Sequence, residues 1–158
     1  MAVSLSTAGI LVGYAEETVA DTKPTTFTHI PRAMSLPDFN PAPNNIDVTP
    51  LDAEAYKEYV AGLRDLGSSM AITFSLNDQF MTLWDGIVSK YDTLVASGKT
   101  LWMEFWIPKM SKAFFFQFQP TPLGFKGASP DSHLEIDAYV TPTGHVGWSE
   151  AVKPTTAT

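Results

Sequence analysis

From Asn77 to Gly98 the apolar residues recur every three or four positions: Phe80, Leu83, Trp84, Ile87, Val88, Tyr91, Leu94 and Val95. A period near 3.6 puts them on one stripe of a helix. Asp78, Thr82, Asp85, Ser89, Lys90, Asp92 and Thr93 fall on the other side. Asn77 is a good N-cap, Asp78 sits at the positive end of the helix dipole, and Gly98 is a fitting residue just past the last turn. No other long segment has this period, so the pattern predicts a single long helix, and its stripe needs a broad apolar surface to lie on.

Elsewhere the period is two. Met70, Ile72, Phe74 and Leu76 alternate with Ala71, Thr73 and Ser75, which predicts a half-buried strand over Ser69–Leu76 leading straight into the helix. After Gly98, Leu101, Met103, Phe105 and Ile107 oppose Trp102, Glu104 and Trp106 in a strand over Thr100–Ile107. Pro108–Lys112 reads as a hairpin loop, and Ala113–Gln119 follows with Phe114, Phe116 and Phe118 inward. Leu134, Ile136, Ala138 and Val140 mark another strand, and Pro142-Thr143-Gly144 reads as a turn into a last one, His145–Glu150. Shorter strands are expected at Gly9–Tyr14, Thr25–Ile30 and Leu123–Lys126. Strands before and after one helix, joined by short connections, define an α+β fold, mainly antiparallel β: a β-sandwich or partial barrel with one flanking amphipathic helix.

Pro31, Pro37, Pro41, Pro43 and Pro50 break the stretch between the second strand and the alternating one. Each removes a backbone donor and fixes φ, so a long interaction loop over about 31–50, without regular elements, is expected. Ile46, Val48 and Leu51 within it imply that it docks on something. Thr49-Pro50-Leu51-Asp52 has the form of a helix start, predicting a short helix through Lys57, and Gly62–Gly67 reads as a turn. The whole chain, 1–158, is thus expected to be one domain with an N-terminal arm (about 1–9) and a short C-terminal arm (about 151–158).

With 10 Lys plus Arg against 17 Asp plus Glu, the formal charge is −7. That balance excludes a surface built to hold nucleic acid, since phosphate neutralisation needs a basic patch. It suits a surface that nucleic acid must pass without sticking. No cysteine is present, so disulfides and thiolate metal sites do not enter, which fits an intracellular compartment. The apolar run Ile10–Tyr14 is too short to span a bilayer and has no basic residue before it, so no membrane segment or signal peptide is expected.

His133, Glu135 and Asp137 alternate on one strand face and could in principle hold a metal, but polar residues on an exposed strand face are the ordinary case. Glu104 and Asp137 could be drawn together as a hydrolytic carboxylate pair, yet no spacing supports it among 17 acids. There is no nucleophile elbow and no phosphate-binding glycine loop. Neither a catalytic residue nor a metal nor a cofactor is expected. Trp102 and Trp106, with Trp148, could form a platform for sugar. The alternative is a strand apolar on both faces, covered partly by another chain.

The run IDVTPLDAEAYKEYVAGLRDLGSSMAITFSL resembles the tail tube (major tail) proteins of long-tailed, siphovirus-type bacteriophages. Pro37, Ile46-Asp47-Val48-Thr49, Tyr59, Gly62-Leu63, Asp65, Gly67 and the alternating strand to Leu76 carry the likeness. The following helix and the later Phe/Trp-rich hairpin also suit it. The resemblance implies a structural subunit, not an enzyme, that assembles with itself into stacked hexameric rings. Inner strands would join as one large barrel whose lumen holds the tape measure protein and later conducts genomic DNA. Tail terminator and tail-tip or baseplate proteins would be further partners, in the virion tail and, during assembly, in the host cytoplasm. Ile46, Asp47, Val48, Thr49, Gly62, Leu63, Asp65, Trp102 and Trp106 are the candidate inter-subunit contacts. A carbohydrate-binding β-sandwich using Trp102 and Trp106, or a ring-forming terminator-type tail protein, are the alternatives.

Overall fold

The computed structural model describes residues 4–156; positions 1–3 of the expected N-terminal arm and 157–158 of the C-terminal one lie outside the described residues. The chain divides into two compact units, Met1–Pro37 with Ser69–Thr158, and Asp38–Ser68. The larger carries β1 (Leu11–Glu16), β2 (Thr28–Ile30), β3 (Ala33–Ser35), β6 (Met70–Ser75), α1 (Asp78–Ala96), β7 (Leu101–Trp106), β8 (Lys112–Pro120) and β9 (Glu135–Glu150). The smaller carries β4 (Asn45–Asp47) and β5 (Tyr59–Ala61).

All seven strands of the larger unit form one antiparallel sheet in the order β2-β1-β7-β8-β9-β6-β3. β2 and β3 stand at opposite ends of that order, yet only Pro31 and Arg32 separate them. Three peptide steps reach about 11 Å at most, so the sheet must curl until its edges nearly meet. Arg32 turns the chain there with φ 64° and accepts the Ser75 amide on its carbonyl. A nearly closed barrel-like sheet with one helix, not a sandwich of two sheets, is therefore the form that the expected fold takes.

The helix is capped as its sequence predicts. Asn77 Oδ1 accepts the Phe80 amide at 2.8 Å. At the other end Gly98 is left-handed (φ 75°), its amide donates to Val95 and the Lys99 amide donates to Leu94, which is a Schellman ending. The buried stripe is narrower than the spacing suggested. Phe80, Trp84 and Ile87 are buried, Leu83, Val88, Tyr91 and Leu94 are half-buried, and Val95 is exposed. A helix laid on a curved sheet touches it along a line, so residues at the stripe's margin stay wet. Phe74 of β6 stacks on Phe80 at 4.6 Å, and Trp84 donates its Nε1–H to the Thr121 carbonyl at 2.8 Å. Ile72, Met103, Phe116, Phe118, Ile136 and Val140 are among the other buried apolar residues on this side.

Four expectations change. No turn forms at Pro142–Gly144, because β9 runs unbroken for 16 residues. It pairs with β6 over Glu135–Val140 and with β8 over Val140–Glu150. Between Gln117 and Phe118, and again between Phe115 and Gln117, β9 holds one residue more than β8, and His145 (φ 39°) lies within the second bulge. The turn-forming residues thus serve as bulges within a ladder. Leu123–Lys126 is irregular, not a strand. The proline-rich stretch does hold regular elements, since β3 fits between Pro31 and Pro37 and β4 between Pro43 and Pro50. The helix expected through Lys57 is absent, and that segment is the connection of a hairpin.

Candidate assembly surfaces

Seven of the nine candidate contact residues fall in the Asp38–Ser68 unit. There β4 and β5 pair antiparallel with Asn45 opposite Ala61, Ile46 opposite Val60, and Asp47 opposite Tyr59. The Val48 amide donates to the Glu58 carbonyl at 2.9 Å and the Gly62 amide to the Asn44 carbonyl at 2.6 Å, so the ladder continues one step beyond each end. A Cβ at position 62 would lie 3.0 Å from the Asn44 carbonyl oxygen, which is why glycine stands there.

Polar side chains hold the hairpin's connection. Thr49 Oγ1 accepts the Glu58 amide at 2.8 Å, and Asp47 Oδ1 accepts the Thr49 amide at 2.9 Å. Thr49, through its hydroxyl and then its amide, holds the Asp47 carboxyl below the usual carboxylate range. Asp65 Oδ1 accepts the Gly67 amide at 2.8 Å in a turn where Gly67 takes φ 84°. Asp47, Thr49, Gly62 and Asp65 therefore shape the unit. Ile46, Val48 and Leu63 are its open apolar positions.

Sequence reasoning missed part of this surface. Tyr56 and Val60 are exposed too, beside Leu51, which was expected to dock and is fully exposed at 108%. Leu51, Tyr56 and Tyr59 lie in or beside the segment taken for a helix. The signal was a strand pair of type Ile-Asp-Val and Tyr-Val-Ala, short but β-prone.

Trp102 and Trp106 have a different environment. Trp102 is buried within its own chain with Ala15, Phe27, Ala113 and Phe115, and its ring stacks on His145 at 5.8 Å. The cover expected from a neighbour over Trp102 is supplied by this chain's own β1–β2 connection and C-terminal segment, and no open sugar platform exists there. Trp106 is half-buried, with the Lys153 ammonium 5.6 Å from its ring centroid. Trp148 is exposed and packs edge-on against Phe114.

His133, Glu135 and Asp137 do not gather around a common point. His133 pairs with Ser75 Oγ at 2.9 Å, Asp137 accepts from Thr73 Oγ1 at 2.8 Å, and Lys126 bridges Asp137 (3.2 Å) and Glu135 (3.6 Å). The Thr73 hydroxyl, followed by Lys126, holds the Asp137 carboxyl below its ordinary range, as for an ionised surface group. No set of three potential metal ligands occurs among the described residues.

The sheet also leaves backbone edges open. Among the described residues no strand lies beyond β3, where Met34 is 52% exposed, and none lies beside the half of β9 that pairs only with β8. Such edges invite pairing with another chain.

No family model and no curated protein matches the sequence. Solved structures do. A chain of the virion of a native gene transfer agent particle is 13% identical with a TM-score of 0.56, over 92% of this chain and 99% of that one. A chain from the tail of an empty gene transfer agent particle, refined with C6 symmetry, is 12% identical with a TM-score of 0.55, over 92% and 99%. A chain of the anti-feeding prophage baseplate, six-fold symmetrised, is 9% identical with a TM-score of 0.61, over 95% and 98%. At these identities the fold is what is shared: a mostly antiparallel, nearly closed sheet with one helix, as found in chains of tail and baseplate particles.

Proposed function

We propose that this chain is the subunit of a phage-type tail tube, assembling with itself into stacked hexameric rings. The observation that carries the reading is the Asp38–Ser68 hairpin, whose Ile46, Val48, Leu51, Tyr56, Val60 and Leu63 are all exposed on a chain with the fold of tail and baseplate proteins. Apolar side chains concentrated in one exposed unit mark a contact surface more than a chance scatter does. The open edges of β3 and β9 supply a second, heterologous joint of the kind that closes a ring. A formal charge of −7 in each copy weakens the hold of the wall on the phosphate backbone, which suits a lumen that conducts DNA and houses a tape measure protein. The subunit has no catalytic task on this reading, and terminator and tip or baseplate proteins would meet the ends of the tube.

Electron microscopy and sedimentation of the concentrated chain test it: rings or tubes are expected, and monomers that persist even with a tape measure protein or tail initiator present would overturn it. Ile46→Asp combined with Val60→Lys replaces an exposed cross-strand pair by one of opposite charge, so the fold should lose no more than about 0.5 kcal/mol per site. Assembly should nevertheless be lost. Tubes of normal length from that variant would remove the hairpin from the interface.

A further inference from the structure

From Ala151 the chain crosses the second face of the sheet as a strap. The Ala151 amide donates to the Ser111 carbonyl at 3.0 Å. Pro154 is buried so closely on Gly13 that a Cβ there would stand 2.9 Å from Pro154 Cγ. Thr155 then pairs in parallel with Thr28, its amide donating to the Phe27 carbonyl at 3.0 Å while its carbonyl accepts the His29 amide at 2.8 Å. The strap thus occupies the outer edge of β2 by the hydrogen bonds a neighbouring strand would make.

Beneath the strap lies Glu104, wholly shielded from solvent. It sits opposite Gly13 of β1 and Phe115 of β8, on the face that holds Trp102, Phe27 and Val152. Oε1 accepts the Val152 amide at 3.3 Å, and Oε2 has no partner. The charged and titratable groups around it are few. Lys23, from the β1–β2 connection, lies over the Phe115 ring and donates to Ser149 Oγ and the Glu150 carbonyl instead. Lys153 of the strap lies over Trp106, and His145 of β9 stacks on Trp102. Glu17 is bound to the Thr22 and Thr100 amides. Among the described residues no cation forms an ion pair with Glu104.

We propose that Ala151–Thr156 is a proton-operated latch: it stays seated while Glu104 carries its proton and lifts when that carboxyl ionises, uncovering the outer edge of β2. A carboxylate with one long hydrogen bond and no counter-ion must find water. Of the elements covering it, β1, β7 and β8 are held by continuous ladders, whereas the strap is held by a handful of bonds, one of them to Glu104 itself. Lifting the strap is therefore the least costly way to hydrate the charge. Desolvation, offset in part by the Val152 amide and Lys23, holds the carboxyl up at about 7, so the latch works in the neutral range.

Hydrogen exchange of the Thr155 and His29 amides in the full chain tests this. After correction for the intrinsic rate, their protection should fall about tenfold between about pH 6 and pH 8.5, while amides of the β8–β9 ladder keep theirs. Glu104→Gln should abolish the fall, and His145→Gln should leave it in place. Protection unchanged with pH in the native chain, or a fall that survives in Glu104→Gln, would overturn the latch. The native profile decides the matter even if a variant fails to fold.

Discussion

Trp84→Ala should destabilise the larger unit by about 3–5 kcal/mol, the range for deleting a buried large aromatic side chain. The indole is fully buried, stacks on Phe80 at 6.0 Å and lies 6.3 Å from Phe74 of β6. It is thus the place where helix and sheet are clamped. Its loss also strips the Thr121 carbonyl of the Nε1–H donor. Trp84→Phe separates the two contributions. It keeps most of the packing, so its cost should be nearer the roughly 1–3 kcal/mol of an acceptor left without its partner. Denaturant titration of both variants gives the comparison. A midpoint unmoved in Trp84→Ala would mean that α1 does not depend on this contact.

What the sequence makes legible follows from how local each determinant is. The cap at Asn77, the left-handed Gly98 and the 3.6-residue stripe act within a few positions of themselves, and all three are realised. The strands β6, β7 and β8 come within two residues of their expected limits because strict alternation over six or more positions has one meaning. Pro142-Thr143-Gly144 has two. Those residues suit a turn or a bulge, and the choice is made by β8, whose ladder continues past them. Proline spacing likewise announces breaks without saying whether three residues between two breaks will pair, as β3 and β4 do.

The surface was legible to a different degree. Ile46, Val48 and Leu63 stand out as apolar residues in polar company, and each proves exposed. Trp102 and Trp106 alternate with an apolar face, which establishes that their own face is covered but not by what. The cover is the strap and Phe27, which lie 45 residues or more away from Trp106 in one direction and 75 from Trp102 in the other, so no local pattern could name them. Glu104 is concealed for the same reason. Between two tryptophans a single acid looks like the wet side of a strand, and only the returning C-terminus seals it.

That seal has a stability consequence larger than any surface change. Glu104 titrates near its ordinary 4.5 in the unfolded chain and at about 7 in the fold, so the folded state holds the proton more tightly. Below about pH 4.5 the group is protonated in both states and costs nothing. Between 4.5 and 7 the unfolded chain sheds the proton while the fold keeps it, and stability falls by about 1.4 kcal/mol per pH unit. Above 7 both are ionised and the loss levels off at about 3 kcal/mol. Glu104→Gln abolishes this linkage. Denaturant titrations of native and variant chains should agree in their pH trend except for this one group, with the variant gaining on the native chain by up to about 3 kcal/mol from about pH 4 to pH 8. Equal curves at both ends would mean that Glu104 is hydrated in the fold. A lifting strap lowers the plateau, because local opening caps what the buried charge can cost. The height of that plateau therefore measures how much work the C-terminal segment does in staying down.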